Sequence, residues 1–316
     1  MNQTYRYCGV PIFSELPLPE LPTAATGTAA ERAVRFGATP AQLPDEQRRT
    51  ATFAHNGREA LWWLAGIGRF HISDQGRLIT LSPDDGAEEA ALRLMLLHPV
   101  WALASLLRGE WLLNAAAVSR QGEITAFIGP SACGKSTLAA LLLREGFGLV
   151  SDALLRVTQD AQGRLIGHPQ GPWLQLWPSA LKHLELDDNS TELRAGLPLR
   201  RVILPTQAEA LPIARLALLR EQRDNTLDIL TQRPQQGTLG FTTLLQCSAG
   251  NTWLDDLADR HALFQHAVGL LKQARIERLD LPWGLAHDER MVSEVQQWID
   301  PAAIGAGITQ SSMKRW

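Results

Sequence analysis

The sequence predicts an α/β fold in which a core of short strands and helices follows a smaller, strand-containing N-terminal domain. Three observations carry that expectation. Residues 123–145 run from an apolar strand pattern through a loop of small residues into an apolar helical pattern. Residues 1–85 interrupt short apolar runs with clusters of Pro, Gly and Thr, as in ELPLPELPTAATGT, the texture of strands joined by irregular loops. Residues 82–109 carry early acids, apolar residues at helical spacing and a closing Gly, which reads as a connecting helix bent at Pro99. The expected division is an accessory or recognition domain over 1–85 and a core over 86–316.

Within the first segment, ALWWLAGIGRFHI and RLITLS are the strand candidates. Trp62 and Trp63 are adjacent, so a strand sends one to the core and the other to the opposite face. There an exposed Trp can grip a peptide, or another segment can cover it. After the connecting helix, EWLLNAAAVSRQGEITAFIGP gives two strands around an SRQGE turn. Residues 135–145 are helical, GLVSD (148–152) is the next strand and LRVTQDAQGRLIGH (155–168) a hairpin. RRVILP and RIERLDLP are later strands, and DDLADRHALFQHAVGLLKQA is one amphipathic helix.

Composition narrows the function classes. The 316 residues are 45% hydrophobic and 20% charged with a formal net charge of −3, and no basic stripe points to nucleic acid. The N-terminus lacks the basic start and continuous apolar run of a secretory signal. The longest uncharged apolar stretch, 94–107, contains His98 and Pro99 and falls short of a bilayer span. A cytoplasmic protein without a membrane partner is expected. Cys8, Cys133 and Cys247 are widely spaced and form neither a disulfide framework nor a metal pattern.

The loop in IGPSACGKSTLAALL is the most specific signal. The chain has four lysines against 26 arginines, yet places Lys135 here. Gly129, Gly134, Lys135 and Ser136 match G-x-x-x-x-G-K-[ST], a pattern expected by chance about 0.003 times in a chain of this composition. Small residues let successive N–H groups converge on phosphate oxygens, and the following helix adds its positive end. Lys135 can then neutralise terminal phosphates and Ser136 can ligate Mg²⁺. Asp152, 17 residues beyond Lys135 at a strand end, can orient Mg²⁺ or take a proton from an attacking hydroxyl, or simply cap a turn.

The run from NAAAV through GPSACGKSTLAALLLREGFGLVSDA to HPQGPWLQLWPSAL resembles the HPr kinase/phosphorylase family. Together with YRYCGVPIFSELPLPEL and LLHPVWALASLLRGEWLLNAAAV, it is more closely similar to the HPr-kinase-related proteins of bacterial peptide-modification clusters, including those that phosphorylate lasso-peptide precursors. The resemblance implies a P-loop kinase core akin to HPr kinase and phosphoenolpyruvate carboxykinase, with ATP and Mg²⁺ as cofactors. The implied reaction moves phosphate to a serine-type hydroxyl of a peptide or protein, and a homo-oligomer is a further state the family uses. It assigns nucleotide binding to Gly129, Pro130, Ser131, Ala132, Cys133, Gly134, Lys135, Ser136 and Thr137, the metal to Ser136 and Asp152, and catalysis to Asp152 and Lys135.

The chain departs from the family at two places. The second Asp of the family's pair, its catalytic base, falls at Ala153, and its His before the loop falls at Asn114, which cannot shuttle a proton near neutral pH. A catalytically weak, nucleotide-binding regulator therefore stands beside the kinase reading, and a small-molecule kinase is a third. Glu185, Asp187 and Asp188 read as surface charges, and His168 as a loop residue before a site residue. Trp173 and Trp177 read as a packing ridge or an aromatic wall.

Overall fold

The computed structural model describes residues 3–207, 209–220, 230–281 and 288–300. Among these residues it is a mixed α/β protein with an eight-stranded, a nine-stranded and a three-stranded sheet.

The eight-stranded sheet takes up the N-terminal segment: β1 (Gln3–Tyr7), β2 (Val10–Ser14), β3 (Arg32–Phe36), β4 (Arg48–Arg49), β5 (Phe53–His55), β6 (Ala60–Leu64), β7 (Gly68–Ser73) and β8 (Leu78–Pro83), in the order β1-β2-β3-β8-β7-β6-β5-β4. Its inner face comes from strict alternation. Phe70 and Ile72 of β7 stand opposite Leu81 and Ile79 of β8, and all four are buried. Each such side chain contributes about 1.5–3 kcal/mol when removed from water. The tryptophan pair divides between faces as the strand period requires. Trp62 is buried in the main cluster, whereas Trp63 lies half-buried against Leu43, Ala54 and Leu61, with the guanidinium groups of Arg49 (5.2 Å) and Arg69 (5.5 Å) over its ring.

The connecting helix is three pieces: α1 (Glu89–Met95), a π-helical turn at Leu96–Val100 and α2 (Trp101–Leu107). Pro99 lies inside the turn and explains it, since proline supplies no N–H and its ring collides with the carbonyl four residues back. The apolar sequence stretch read as too short for a bilayer belongs to a longer run. Glu89–Leu107 is 19 residues, long and apolar enough by length and composition to cross a membrane, with 61% of its window buried inside the protein. Leu92, Leu96, Leu97 and Trp101 share one cluster with the N-terminal sheet, so the helix serves that sheet as its covering layer.

The nine-stranded sheet holds β9 (Trp111–Leu113), β10 (Ala115–Arg120), β11 (Glu123–Ile128), β12 (Gly148–Asp152), β13 (Leu155–Gln159) and β14 (Leu165–His168). A separate small sheet follows, with β15 (Trp173–Leu176), β16 (Ser190–Glu192) and β17 (Arg200–Ile203) in the order β15-β17-β16. β18 (Leu211–Leu219), β19 (Thr231–Pro234) and β20 (Arg275–Asp280) complete the large sheet, whose main path is β12-β10-β11-β18-β14-β13-β9.

Direction matters more than order for the site. β11 pairs in parallel with β18, and β18 with β20, while β10 runs antiparallel to both β11 and β12. Thus β11, β12, β18 and β20 all point the same way and end on one edge of the sheet. Ile128 and Asp152 finish there, with β10 between them: Ala115 faces Ile128 and Ala116 faces Asp152. In open α/β sheets this carboxyl edge is where ligands bind.

Helix α3 (Lys135–Arg144) covers one face through Leu138, Ala139 and Leu142, packed with Ala116, Phe127 and Leu149. The short α4 (Pro178–His183) and the late α8 (Asp288–Ile299) extend that layer, while α5 (Gly237–Gln246) and α7 (Arg260–Gln273) cover the other face. The single helix expected over 255–274 is interrupted. α6 (Leu254–Leu257) stops, Ala258 is extended, and Asp259 starts α7 by accepting from the N–H groups of His261 and Ala262, both at 3.0 Å. An N-capping carboxylate outcompetes helix continuation at that point.

Candidate functional site

The chain leaves β11 at Ile128 and enters α3 at Lys135 through six residues. Gly129 has φ +143°, and a Cβ there would stand 2.4 Å from the Leu219 carbonyl oxygen at the end of β18. Only glycine lets the loop pass that close to the neighbouring strand. Gly134, with φ +88°, turns the chain into the helix, and Ala132 also takes a left-handed conformation (φ +62°). Pro130, Ser131 and Ala132 form an exposed rim, Cys133 is buried beneath it, and Thr137 is half-buried on the first turn of α3.

Lys135 is buried to 8% exposure, with Nζ donating to the carbonyls of Gly129 (3.0 Å) and Pro130 (2.7 Å). The ammonium therefore sits inside the loop, at the start of a ten-residue helix. Ser136 Oγ donates to Asp152 Oδ1 at 2.6 Å, and the Gln175 N–H donates to Oδ2 at 2.6 Å. The sequence-derived group Lys135, Ser136 and Asp152 is thus one cluster at the carboxyl edge of the sheet, although Asp152 lies on a strand two positions from β11.

Asp152 is only 3% exposed, and burial pushes its carboxyl up to about 6, against opposing contributions from Ser136, the Gln175 N–H and Lys135. Cys247, at the end of α5, faces the Gly129 N–H, and burial pushes its thiol up to about 11. It remains a protonated thiol at neutral pH rather than a nucleophile.

The donors suit magnesium and a polyphosphate. Mg²⁺ takes hard oxygen ligands and is held by one or two protein oxygens with phosphate and water completing its octahedron. Ser136 Oγ and Asp152 Oδ1 already meet at one point and offer that pair. The Lys135 ammonium supplies positive charge beside it.

The remaining sequence candidates take other places. Asn114 lies between β9 and β10, and its N–H donates to the Cys247 carbonyl at 2.7 Å. Ala153 follows Asp152 with φ +88°, an uncommon and strained value for alanine. His168 ends β14, its Nε2 2.7 Å from Thr158 Oγ1, and burial pushes the ring down to about 4, so it is neutral near pH 7. Trp173 is buried and Trp177 is 46% exposed, so the two do not form one wall. Glu185, Asp187 and Asp188 are exposed.

Sequence reasoning missed Gln170 and Gln175. Gln175 holds Asp152 through its backbone, which side-chain identity cannot announce. Gln170 lies in the quoted HPQGPW stretch, but its partners are far away in sequence.

No protein-family model matches the chain, and no curated protein matches it in sequence. Among solved structures, the HPr(Ser) kinase/phosphatase from Coxiella burnetii is similar over 60% of this chain and 95% of that one, at 13% identity and a TM-score of 0.32.

Proposed function

We propose that the protein is an ATP-dependent kinase that transfers phosphate to a serine-type hydroxyl of a peptide or protein. The carrying observation is the 2.6 Å contact between Ser136 and Asp152 at the mouth of a glycine loop that encloses Lys135. Loop residues 129–134 and the first turn of α3, through Thr137, hold the nucleotide phosphates. Ser136 and Asp152 hold Mg²⁺, and Lys135 exchanges its loop carbonyls for phosphate oxygens. Mg-ATP supplies the phosphoryl group when bound.

In the reaction the acceptor oxygen forms a bond to the γ-phosphorus as the bond to the β,γ-bridging oxygen breaks, and ADP leaves. The acceptor proton passes to a base. Asp152 is the acid at the paired-Asp position and so the candidate base. Its engagement by Ser136 makes metal holding its first role.

Acceptor recognition falls to residues 1–85, with the phosphate chemistry over 86–316. Peptides of the kind processed in peptide-modification clusters are the acceptor class this reading favours. Trp63 is the recognition candidate, because its ring is half-buried and has the guanidinium groups of Arg49 and Arg69 within cation–π reach. One observation favours the alternative of a catalytically weak nucleotide-binding regulator: alanine, not a second acid, follows Asp152.

The deciding experiment incubates the protein with Mg-ATP and an array of serine-containing peptides. Addition of one phosphate by the natural chain, lost in Lys135→Ala and in Ser136→Ala, supports the kinase. Mg-ATP binding without transfer to any peptide supports the regulator.

A further inference from the structure

The carboxylate at the candidate site is held from behind by a residue that the chemistry above does not use. Gln170 is buried to 3% exposure. Its Oε1 accepts from the N–H of Asp152 (2.9 Å) and from the N–H of Leu154 (3.3 Å). These two amides flank Ala153, whose φ of +88° an alanine adopts only under constraint. One side-chain oxygen therefore bridges the strained bend that ends β12, and that bend sets where the Asp152 side chain leaves the strand.

The other end of Gln170 is held by the N-terminal sheet. Its Nε2 donates to Tyr7 Oη at 3.0 Å, and the Tyr7 hydroxyl donates in turn to the Leu97 carbonyl. The Tyr7 ring is fully buried, edge-on to Trp101 (4.9 Å) and stacked with Trp173 (6.1 Å). The backbone reinforces the grip. The Cys8 N–H donates to the Gln170 carbonyl at 3.3 Å, and the Gln170 N–H donates to Val150 of β12 at 2.9 Å. At the β1–β2 turn, a Cβ on Gly9 would meet His168 Nδ1 at 2.5 Å, so the turn is fitted against the end of β14. Every hydrogen-bonding group of Gln170 used here is spent on either β12 or the N-terminal sheet, leaving its amide one orientation.

We infer that Gln170 is a positioning residue for Asp152, clamped by Tyr7, so that the N-terminal sheet sets the geometry of the Ser136–Asp152 pair. The inference rests on the nucleotide reading for its functional consequence, but the clamp itself is a property of the chain. Tyr7→Phe removes the hydroxyl and keeps the ring between Trp101 and Trp173. Gln170→Leu removes the bridge itself.

Two measurements on the full chain test it. The first is deuterium uptake by peptides covering 150–155, compared with peptides covering 124–128 on β11. Uptake over 150–155 should rise at least tenfold in Gln170→Leu and by a smaller factor in Tyr7→Phe, with 124–128 unchanged. The second is ATP affinity with and without Mg²⁺. Both variants should keep Mg²⁺-free affinity within twofold and lose at least fivefold of the Mg²⁺-dependent gain, because only the latter needs a placed Asp152. Unchanged uptake over 150–155, equal loosening of both segments, or a Mg²⁺-dependent gain as large as in the natural chain overturns the inference. A natural chain with no affinity for ATP removes the nucleotide reading instead, and the uptake comparison then decides the clamp by itself.

Discussion

Asp152→Asn should make the protein more stable at neutral pH while removing the Mg²⁺-dependent gain in ATP affinity that the proposed function requires. Burial raises the carboxyl from 3.8 to about 6, so the folded state favours the protonated acid. A group raised in this way contributes stability that is fully present below its unfolded pKa and is lost as pH rises through its folded pKa. The shift of about 2 units corresponds to about 3 kcal/mol, surrendered between about pH 4 and pH 6. Asparagine is neutral throughout and escapes this loss. Its oxygen can keep the Gln175 bond, but its amide meets Ser136 as a donor, so the hydroxyl must turn and accept where it now donates, at about 1 kcal/mol. The variant should therefore be about 2 kcal/mol more stable than the natural chain above pH 7 and about 1 kcal/mol less stable below pH 4, with the curves crossing near pH 4.5. Urea unfolding of both proteins across pH 4–8, without nucleotide or Mg²⁺, reads the difference directly and cancels every other titrating group. A variant less stable than the natural chain by the same amount at pH 4 and pH 8 would show that burial does not govern this carboxyl.

Two further substitutions follow from the backbone. Gly129→Ala places a methyl group 2.4 Å from the Leu219 carbonyl at φ +143°, and should cost at least about 2 kcal/mol in urea unfolding as well as nucleotide affinity; unchanged stability would show that the loop does not need its close approach to β18. Ala153→Gly relieves the left-handed strain at φ +88° and should raise stability by about 0.5–1 kcal/mol, the larger folding entropy of glycine offsetting part of the gain; a loss of stability in the same assay would mean that the bend is not strained.

The local structure around the candidate site was legible. Glycine spacing, a rare lysine and an apolar helix fix the loop, and one short helix returns the chain to Asp152. The reading of 135–145 as helix and 148–152 as strand matches α3 and β12. What sequence could not supply is what distant segments do to these residues. Asp152 meets Ser136 because β10 lies between β11 and β12, a strand order set by packing rather than by any motif. Gln170 matters because Tyr7, 163 residues earlier, arrives beside it. The interruption at Asp259 was missed for a different reason. The apolar period continues across 255–274, and only the geometry of the cap shows that the Asp259 carboxylate turns back onto the His261 and Ala262 amides.

Loop 129–134 and the start of α3 are proposed to bind nucleotide phosphates through Lys135. Calorimetric titration of Mg-ATP into the natural chain and into Lys135→Ala, with equal folding verified by urea unfolding, tests it most directly. Charge-assisted hydrogen bonds of about 1.5–3 kcal/mol correspond to an affinity loss of about 10- to 100-fold. Saturable binding by the natural chain and a loss of that size in the variant are expected. Equal affinity in the two proteins, or no binding by the natural chain, would contradict this proposal.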